Sequence, residues 1–391
     1  MERHIVPRSC AVCGSLRKLI LFKQEFVETA CAPFTGYDVV VCQDCGFIFA
    51  DMIPSQTDLD HYYAQMSKYE YRPSKEESLF YERIEHTANM IASILPKDAK
   101  ILDIGCATGE LLGALKERGY SHLTGLDPAA GAVEIAREIH QIDVSVGKIS
   151  DIIRESFDVI ILANVLEHIR YLDDVFLTLE ECLAKGGKVV VEVPDVEGFT
   201  GEKSAPYQEF STEHINFFTK TSLSNLFKRY GYTEMLGIRV PHGKGRYIPF
   251  CSVIKSIFEK IPENMEKDNM GEHCLREYIE HSLEQEKVLL EKIDKLDKSV
   301  PILIWGTGTH TLRLLAISSL RQVNIVGFVD SNINYHGKTI LGLPIYSPSE
   351  VKERTESILI ITQAYQEEIS NLIRVAGMEN EIIALHEREH K

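Results

Sequence analysis

Between Lys100 and about Ile238, short apolar runs alternate with stretches of helical periodicity. The runs are ILDIG (101–105), LTGLD (123–127), VSVG (144–147), FDVIILAN (157–164) and KVVVEVP (188–194). Their length and β-branched content predict buried strands. GELLGALKERG (109–119) and LDDVFLTLEECLAKGG (172–187) place apolar residues three or four apart and predict helices. Strands alternating with helices of this length predict βαβ units, hence a parallel sheet covered on both faces.

The pattern changes on either side of this stretch. Before it, Tyr37–Cys42 and Phe47–Phe49 are β-prone runs in a cysteine-rich segment, and a tyrosine-rich stretch follows from Tyr62 to Tyr81. After it, Gly271–Lys298 is rich in Glu and Lys, with apolar positions at Ile279, Leu283, Leu290, Ile293 and Leu296. That spacing predicts a long amphipathic helix connecting two domains. A second α/β segment then offers strands in PILIWGTGTH (301–310), VNIVGFVD (323–330) and SILIITQ (357–363). The shifts divide the chain into 1–60, 61–240, 241–298 and 299–391.

Composition narrows the functional classes. A chain of 391 residues with 44% hydrophobic content can bury two or three cores. Fifty-eight acidic residues against 42 basic ones leave a formal net charge of -16. No run of Lys or Arg is dense enough to override that field, so neither nucleic acid nor an anionic membrane is an expected partner. MERHIVPRSC has no apolar signal core, and no stretch approaches a membrane span. The nine cysteines are therefore expected in a reducing cytoplasm, where pairs read as metal ligands before disulfides.

Candidate chemistry concentrates first at Asp103-Ile-Gly-Cys-Ala-Thr-Gly109, which leaves a strand and opens a helix. Glycines there let the backbone turn tightly beside a ligand, and N–H groups at the helix start can face it. Asp127 ends the next strand, where a carboxylate can accept both hydroxyls of a ribose. A dinucleotide fold uses the same logic, but its spacing is G-x-G-x-x-G. Here the glycines are G-x-x-x-G, and Asp103 before them suits a sulfonium ligand better than a pyrophosphate.

DIGCATG, GLDP and FDVIILANVLEHI, in that order, resemble the successive motifs of class I methyltransferases. The resemblance implies S-adenosylmethionine as cofactor, with Asp103, Gly105, Cys106, Thr108 and Gly109 at its methionine end. It puts Asp127 and Pro128 at the ribose, and Gly147 and Lys148 near the adenine. Asn164, Val165 and His168 fall beside the reacting methyl, and Glu167 belongs to the same motif.

Cys10-x-x-Cys13 and Cys42-x-x-Cys45 form two knuckles, each followed by a glycine. Four thiolates at such spacing can close a tetrahedral Zn2+ site with no open position, which makes the metal structural. A cysteine module, a methyltransferase segment and a second nucleotide-like segment, in that order, resemble the zinc-containing sugar C-methyltransferases of nucleotide-deoxysugar biosynthesis. The implied fold is α/β: a seven-stranded class I methyltransferase Rossmann-like sheet with an N-terminal four-cysteine zinc module and a C-terminal Rossmann-like α/β domain that binds substrate. The implied partner is a nucleotide-diphosphate sugar, methylated at a carbon next to a ketone.

Under that resemblance Glu213-His214, within SAPYQEFSTEHINFFTK, supply the base. Methylating carbon requires removal of a proton α to a carbonyl, and a histidine near its ordinary pKa suits the task. Tyr69, Tyr71, Lys244 and Arg246 match the family's substrate contacts, the basic pair toward a diphosphate. The family's tyrosine two residues before the glutamate is Ser211 here. An O- or N-methyltransferase acting on a sugar or other small metabolite therefore stays open, as does a non-catalytic adaptor that binds zinc and S-adenosylmethionine. In the C-terminal segment, WGTGTHT (305–311) and Asp330 repeat the turn-and-acid arrangement. A monomer or a homodimer is expected, with the helix near 272–297 available to a dimer.

Overall fold

A computed structural model describes residues 5–66, 79–152, 156–201, 205–240 and 252–386. The chain opens with strands β1 (Lys18–Glu25), β2 (Gly36–Cys42) and β3 (Ile48–Asp51), then helices α1 (Gln56–Met66) and α2 (Leu79–Ala92). The alternating stretch gives β4 (Lys100–Ile104), α3 (Glu110–Glu117), β5 (His122–Asp127), α4 (Ala130–His140), β6 (Asp143–Val146) and β7 (Phe157–Ala163). It continues as α5 (Leu172–Cys182), β8 (Leu183–Pro194), β9 (Asn216–Phe217), α6 (Lys220–Arg229), β10 (Thr233–Val240) and β11 (Val253–Glu259). Then come α7 (Gly271–Asp294), β12 (Ile302–Trp305), α8 (Thr309–Ile317), β13 (Ile325–Val329), β14 (Thr339–Ile340) and β15 (Leu343–Tyr346). The last elements are β16 (Ser357–Ile360), α9 (Gln366–Val375) and β17 (Ile382–Ala384). No helix among the described residues is long and apolar enough to cross a membrane.

The chain forms two compact units. One comprises Met1–Leu21, Val39–Glu202 and His214–Leu275; the other comprises Phe22–Asp38, Lys203–Glu213 and Arg276–Lys391. The division falls inside β1, β2 and α7.

In the first unit a seven-stranded sheet runs β10-β11-β8-β7-β4-β5-β6. β8, β7, β4, β5 and β6 are parallel, and β11 runs against both its neighbours. This is the class I Rossmann-like methyltransferase arrangement. Alternate residues of each central strand face opposite layers. Leu102, Ile104, Ile160, Leu162, Val189 and Val191 pack with Phe176, Leu179, Leu226 and Phe227 of α5 and α6. Ile101, Val159, Ile161 and Val190 pack with Ile91, Leu112, Leu115 and Val133 of α2, α3 and α4. Cys10, Cys42, Phe47 and Phe49 join the first of these layers, so the cysteine module shares a core with the sheet.

The helix expected over 172–187 ends earlier, at Cys182. Leu183 is already extended and begins β8, where it pairs with Phe157 across an irregular register. Gly186, at φ 76°, holds a conformation that helix propagation cannot use.

The second unit contains a six-stranded sheet, β14-β15-β13-β12-β16-β17, parallel through β15, β13, β12, β16 and β17. The face that α7 buries differs from the expected one. Tyr278, Ser282, Glu286, Leu289 and Ile293 are buried, whereas Leu283 is 46% exposed. Two of the buried positions are polar: Glu286 takes both carboxylate bonds from Arg313 at 2.7 and 2.8 Å, and the Ser282 hydroxyl accepts the Tyr207 N–H at 3.2 Å. An apolar count misses a face built partly from satisfied polar groups.

Candidate functional site

The Gly-rich turn starts where β4 ends. Both Gly105 N–H (2.7 Å) and Cys106 N–H (3.2 Å) donate to the Leu126 carbonyl at the end of β5. Gly105 has φ 74°, and an added Cβ would lie 2.6 Å from Val165 Cγ2. Gly109 has φ 81°, and its added Cβ would meet Ala136 at 3.0 Å. Both positions therefore demand glycine twice over, by backbone and by space. Ala107 sits at φ 46° and Asn164 at φ 58°, a left-handed conformation that L residues hold only under constraint.

Asp127 supplies part of that constraint. Its Oδ2 accepts the Ala107 N–H at 2.8 Å and its Oδ1 accepts the Ala129 N–H, past Pro128, at 2.9 Å. Its carbonyl accepts the Gly147 N–H at 3.0 Å. One residue thus ties together the ends of β4, β5 and β6. Burial raises the Asp127 carboxyl against the lowering effect of those two N–H groups. Asp103 lies one step deeper, with a buried Oδ1 that has no hydrogen-bond partner among the described residues. Burial, reinforced by the Asp127 charge, pushes its carboxyl up to about 8. Two buried carboxyls, with no cation shifting either of them among the described residues, make an acidic recess suited to a positively charged guest. Cys106 is buried there, its thiol pushed up first by desolvation and then by Asp103. The Thr108 hydroxyl donates to Glu110 Oε2 at 2.5 Å. Lys148, at the far edge, places Nζ 3.0 Å from Asp60 Oδ2.

Val165 packs on Gly105, and the chain then makes a single turn, Leu166–His168. That turn brings a second cluster alongside. The His168 and His214 rings meet edge to face with centroids 5.0 Å apart. His168 Nδ1 shares a hydrogen bond with the Tyr63 hydroxyl at 3.0 Å, and Nε2 lies 3.9 Å from Glu167 Oε1. Glu167 is 1% exposed, and burial raises its carboxyl to about 8. The His214 segment is anchored from outside the motif. The Ile215 N–H donates to the Glu167 carbonyl at 2.8 Å, and Asn216 Nδ2 donates to the Leu166 and Ile169 carbonyls at 2.7 and 2.8 Å. Arg8 donates to Asn216 Oδ1 and to the carbonyls of Ala50, Ile215 and Arg170. Tyr63 belongs to the tyrosine-rich stretch read from the sequence, whereas Arg8 and Asn216 carry no motif and no spacing pattern points to them.

The neighbouring Glu213 is buried and counts with the second unit, where its N–H donates to Ser211 Oγ at 3.2 Å. Tyr207, also in that unit, is committed to packing. It stacks on Phe22 and lies under Arg313, and its hydroxyl donates to the Ile279 carbonyl at 3.3 Å. Tyr69, Tyr71, Lys244 and Arg246 lie outside the described residues.

The four expected cysteines converge. Cys10 Sγ lies 3.4 Å from Cys45 Sγ and Cys13 Sγ lies 3.5 Å from Cys42 Sγ, with all four sulfurs within 4.8 Å of one another. Gly14 and Gly46 close the two knuckles at φ 77° and 84°, each donating its N–H to the first cysteine of its pair. In the second unit, Asp330 repeats the Asp127 arrangement: its Oδ2 accepts from Thr307 N–H at 2.9 Å and its Oδ1 from Asn332 N–H at 2.9 Å.

Residues 76–235 match a family model described as a methyltransferase domain. The matched stretch contains β4 to β9 and the glycine turn. A second family model, described as C2185-like, N-terminal, matches residues 298–383. A ubiquinone biosynthesis O-methyltransferase of Nitrosococcus oceani is 34% identical over 115 residues, 27% of this chain and 47% of that protein. A ribosomal protein L11 methyltransferase of Thermotoga neapolitana is 38% identical over 89 residues, 21% of this chain and 33% of that protein. The chain thus spans half or less of the length of these curated relatives. Among solved structures, the 1,6-didemethyltoxoflavin-N1-methyltransferase of Burkholderia thailandensis, with bound 1,6-didemethyltoxoflavin and S-adenosylhomocysteine, is 17% identical. That match covers 46% of this chain and 78% of the other at TM-score 0.36. An S-adenosylmethionine dependent methyltransferase of Mesorhizobium loti is 16% identical, covering 45% of this chain and 99% of the other at TM-score 0.36.

Proposed function

We propose that the protein is an S-adenosylmethionine-dependent methyltransferase whose acceptor is a nucleotide-linked deoxysugar, methylated at the carbon next to a ketone. The observation that carries the cofactor reading is the acidic glycine turn, with the Asp103 carboxyl raised to about 8 and its Oδ1 without a hydrogen-bond partner among the described residues. The recess fits a cationic nucleoside, and the cramped Gly105 leaves backbone where a side chain would intrude. When bound, S-adenosylmethionine supplies an electrophilic methyl group on a sulfonium. Asp103, Gly105, Cys106, Thr108 and Gly109 would hold its methionine end, Asp127 and Pro128 its ribose, and Lys148 the adenine side. Asn164, Val165 and His168 would border the methyl.

His214 would take the proton from the acceptor carbon, with Glu213 beside it in sequence and the His168 ring against it in space. The His168 ring is in turn held by the Tyr63 hydroxyl at 3.0 Å. Tyr69, Tyr71, Lys244 and Arg246 would contact the sugar and its diphosphate. The cysteine quartet would hold a structural Zn2+. Zn–S bonds of about 2.3 Å put thiolates about 3.8 Å apart in a tetrahedron; two sulfur pairs here lie at 3.4 and 3.5 Å, and all four sulfurs lie within 4.8 Å of one another.

A second reading, methyl transfer to oxygen, draws on Ser211 in the place of a tyrosine and on the O-methyltransferase relative. Heavy water separates the two. Incubated with a nucleotide-linked ketosugar, the wild-type protein is expected to exchange the proton next to the ketone for deuterium, and His214→Ala to lose that exchange. Methyl transfer without exchange moves the acceptor atom to oxygen or nitrogen. No methylation of any sugar nucleotide ends the sugar reading.

A further inference from the structure

We infer that Glu167, His168 and His214 form a second, non-thiolate metal site that takes a divalent first-row cation. The inference goes beyond the methyl-transfer reading and stands without it. One donor atom from each residue can be chosen so that all three lie within 4.8 Å of one another. Metal–ligand bonds of about 2.1 Å hold three evenly spaced donors about 3.6 Å apart, so a shift of up to about 0.7 Å per side chain closes the set. The two imidazoles are not stacked face to face: their planes are 69° apart, with centroids 5.0 Å apart.

Two further observations point to a ligand. Glu167 Oε2 is buried and has no hydrogen-bond partner among the described residues, in a residue 1% exposed. Burying a carboxyl oxygen with no hydrogen bond is costly, and a bound cation is a partner that removes the cost. His168 is also set as metal-bound histidines are: Nδ1 shares a hydrogen bond with the Tyr63 hydroxyl at 3.0 Å, and Nε2 lies 3.9 Å from Glu167 Oε1. The ligands come from two segments that a separate network locks together, through the Ile215 N–H on the Glu167 carbonyl and the Arg8–Asn216 clamp. A rigid outer shell of this kind is what a metal site requires.

Two imidazoles and a carboxylate suit Mn2+, Fe2+, Co2+ or Zn2+ and not the thiolate-selecting chemistry of the cysteine quartet. Three protein ligands leave positions open for an oxygen of the acceptor. With the cation bound, His214 would be a ligand in place of a base, and the cation would supply the acidification of the group that the acceptor presents.

Cobalt titration of the metal-stripped full chain tests the inference, because thiolate-bound Co2+ shows charge-transfer absorption and cobalt on nitrogen and oxygen does not. Two equivalents are expected, one with thiolate bands at the cysteine quartet and one without them. Glu167→Gln and His214→Ala should each weaken the thiolate-free one by about tenfold or more, with the far-ultraviolet circular dichroism unchanged. The inference is overturned if wild-type protein takes up no thiolate-free cobalt, or if both variants bind it as wild type does. S-adenosylhomocysteine titrated into the same stripped protein reads the cofactor proposal separately, so either can fail alone.

Discussion

Gly105→Ala tests whether the turn after β4 is shaped by space as well as by backbone. The substitution introduces two costs. An alanine at φ 74° incurs about 1–2 kcal/mol for a left-handed conformation. Its Cβ would also lie 2.6 Å from Val165 Cγ2, and overpacking of that kind typically costs about 1–3 kcal/mol. Gly119 gives the control, since at φ 88° it has nothing within 4 Å of an added Cβ. Gly119→Ala should therefore show the backbone cost alone, less the roughly 0.4–1 kcal/mol gained by stiffening the unfolded chain. Urea unfolding followed by circular dichroism should place Gly105→Ala about 1–3 kcal/mol below Gly119→Ala. The displaced turn should also weaken S-adenosylhomocysteine at least about tenfold, or 1.4 kcal/mol, in Gly105→Ala alone. Equal midpoints and equal affinities for the two variants would refute the steric argument.

Two other consequences are open to measurement. At pH 7, an Asp103 carboxyl raised to about 8 is mostly protonated. A cationic ligand beside it favours the carboxylate, so S-adenosylmethionine binding should release up to roughly 0.9 proton. Calorimetry in buffers of different ionisation heat should detect that release, and Asp103→Asn should abolish it. The folded pKa lies above the unfolded one, so folding of the free protein takes up this proton between about pH 4 and 8. Stability from this group therefore falls as pH rises through that window. Lys255 is buried with Nζ 3.1 Å from Glu192 Oε2 and 2.6 Å from Thr87 Oγ1. Burial pulls the Glu192 carboxyl up, but Arg83 and Lys255 outweigh it and hold it below its ordinary value. Lys255→Met should cost about 3–5 kcal/mol in urea unfolding, because it strips a buried charge of one partner. A loss below about 1 kcal/mol would show that Arg83 suffices.

The features legible in the sequence were those in which chemistry and chain are local. The strand, turn and helix from Ile101 to Glu117 lie in one continuous run, and the apolar residues of each strand announce a sheet buried on both faces. The cysteine knuckles announced their convergence through spacing. Longer-range pairings were not legible. Asn216 is paired with Phe49 across β3 and β9, and Arg8 reaches residues 162 and 208 positions away. Buried polar residues misled the reading of α7, where Ser282 and Glu286 face inward because Tyr207 and Arg313 satisfy them. The grouping of 22–38 and 203–213 with the C-terminal residues has no counterpart in any compositional shift. The left-handed backbone of Ala107 was equally hidden, since alanine does not mark a turn of that hand as glycine does.

The recess between Asp103 and Asp127 carries the methyl-transfer reading, and calorimetric titration of the purified full chain with S-adenosylhomocysteine tests it most directly. One equivalent should bind, and Asp127→Ala, which removes the carboxylate facing Ala107 and Ala129, should abolish the heat. Absence of binding by wild-type protein, together with saturable binding of a nicotinamide dinucleotide, would contradict it.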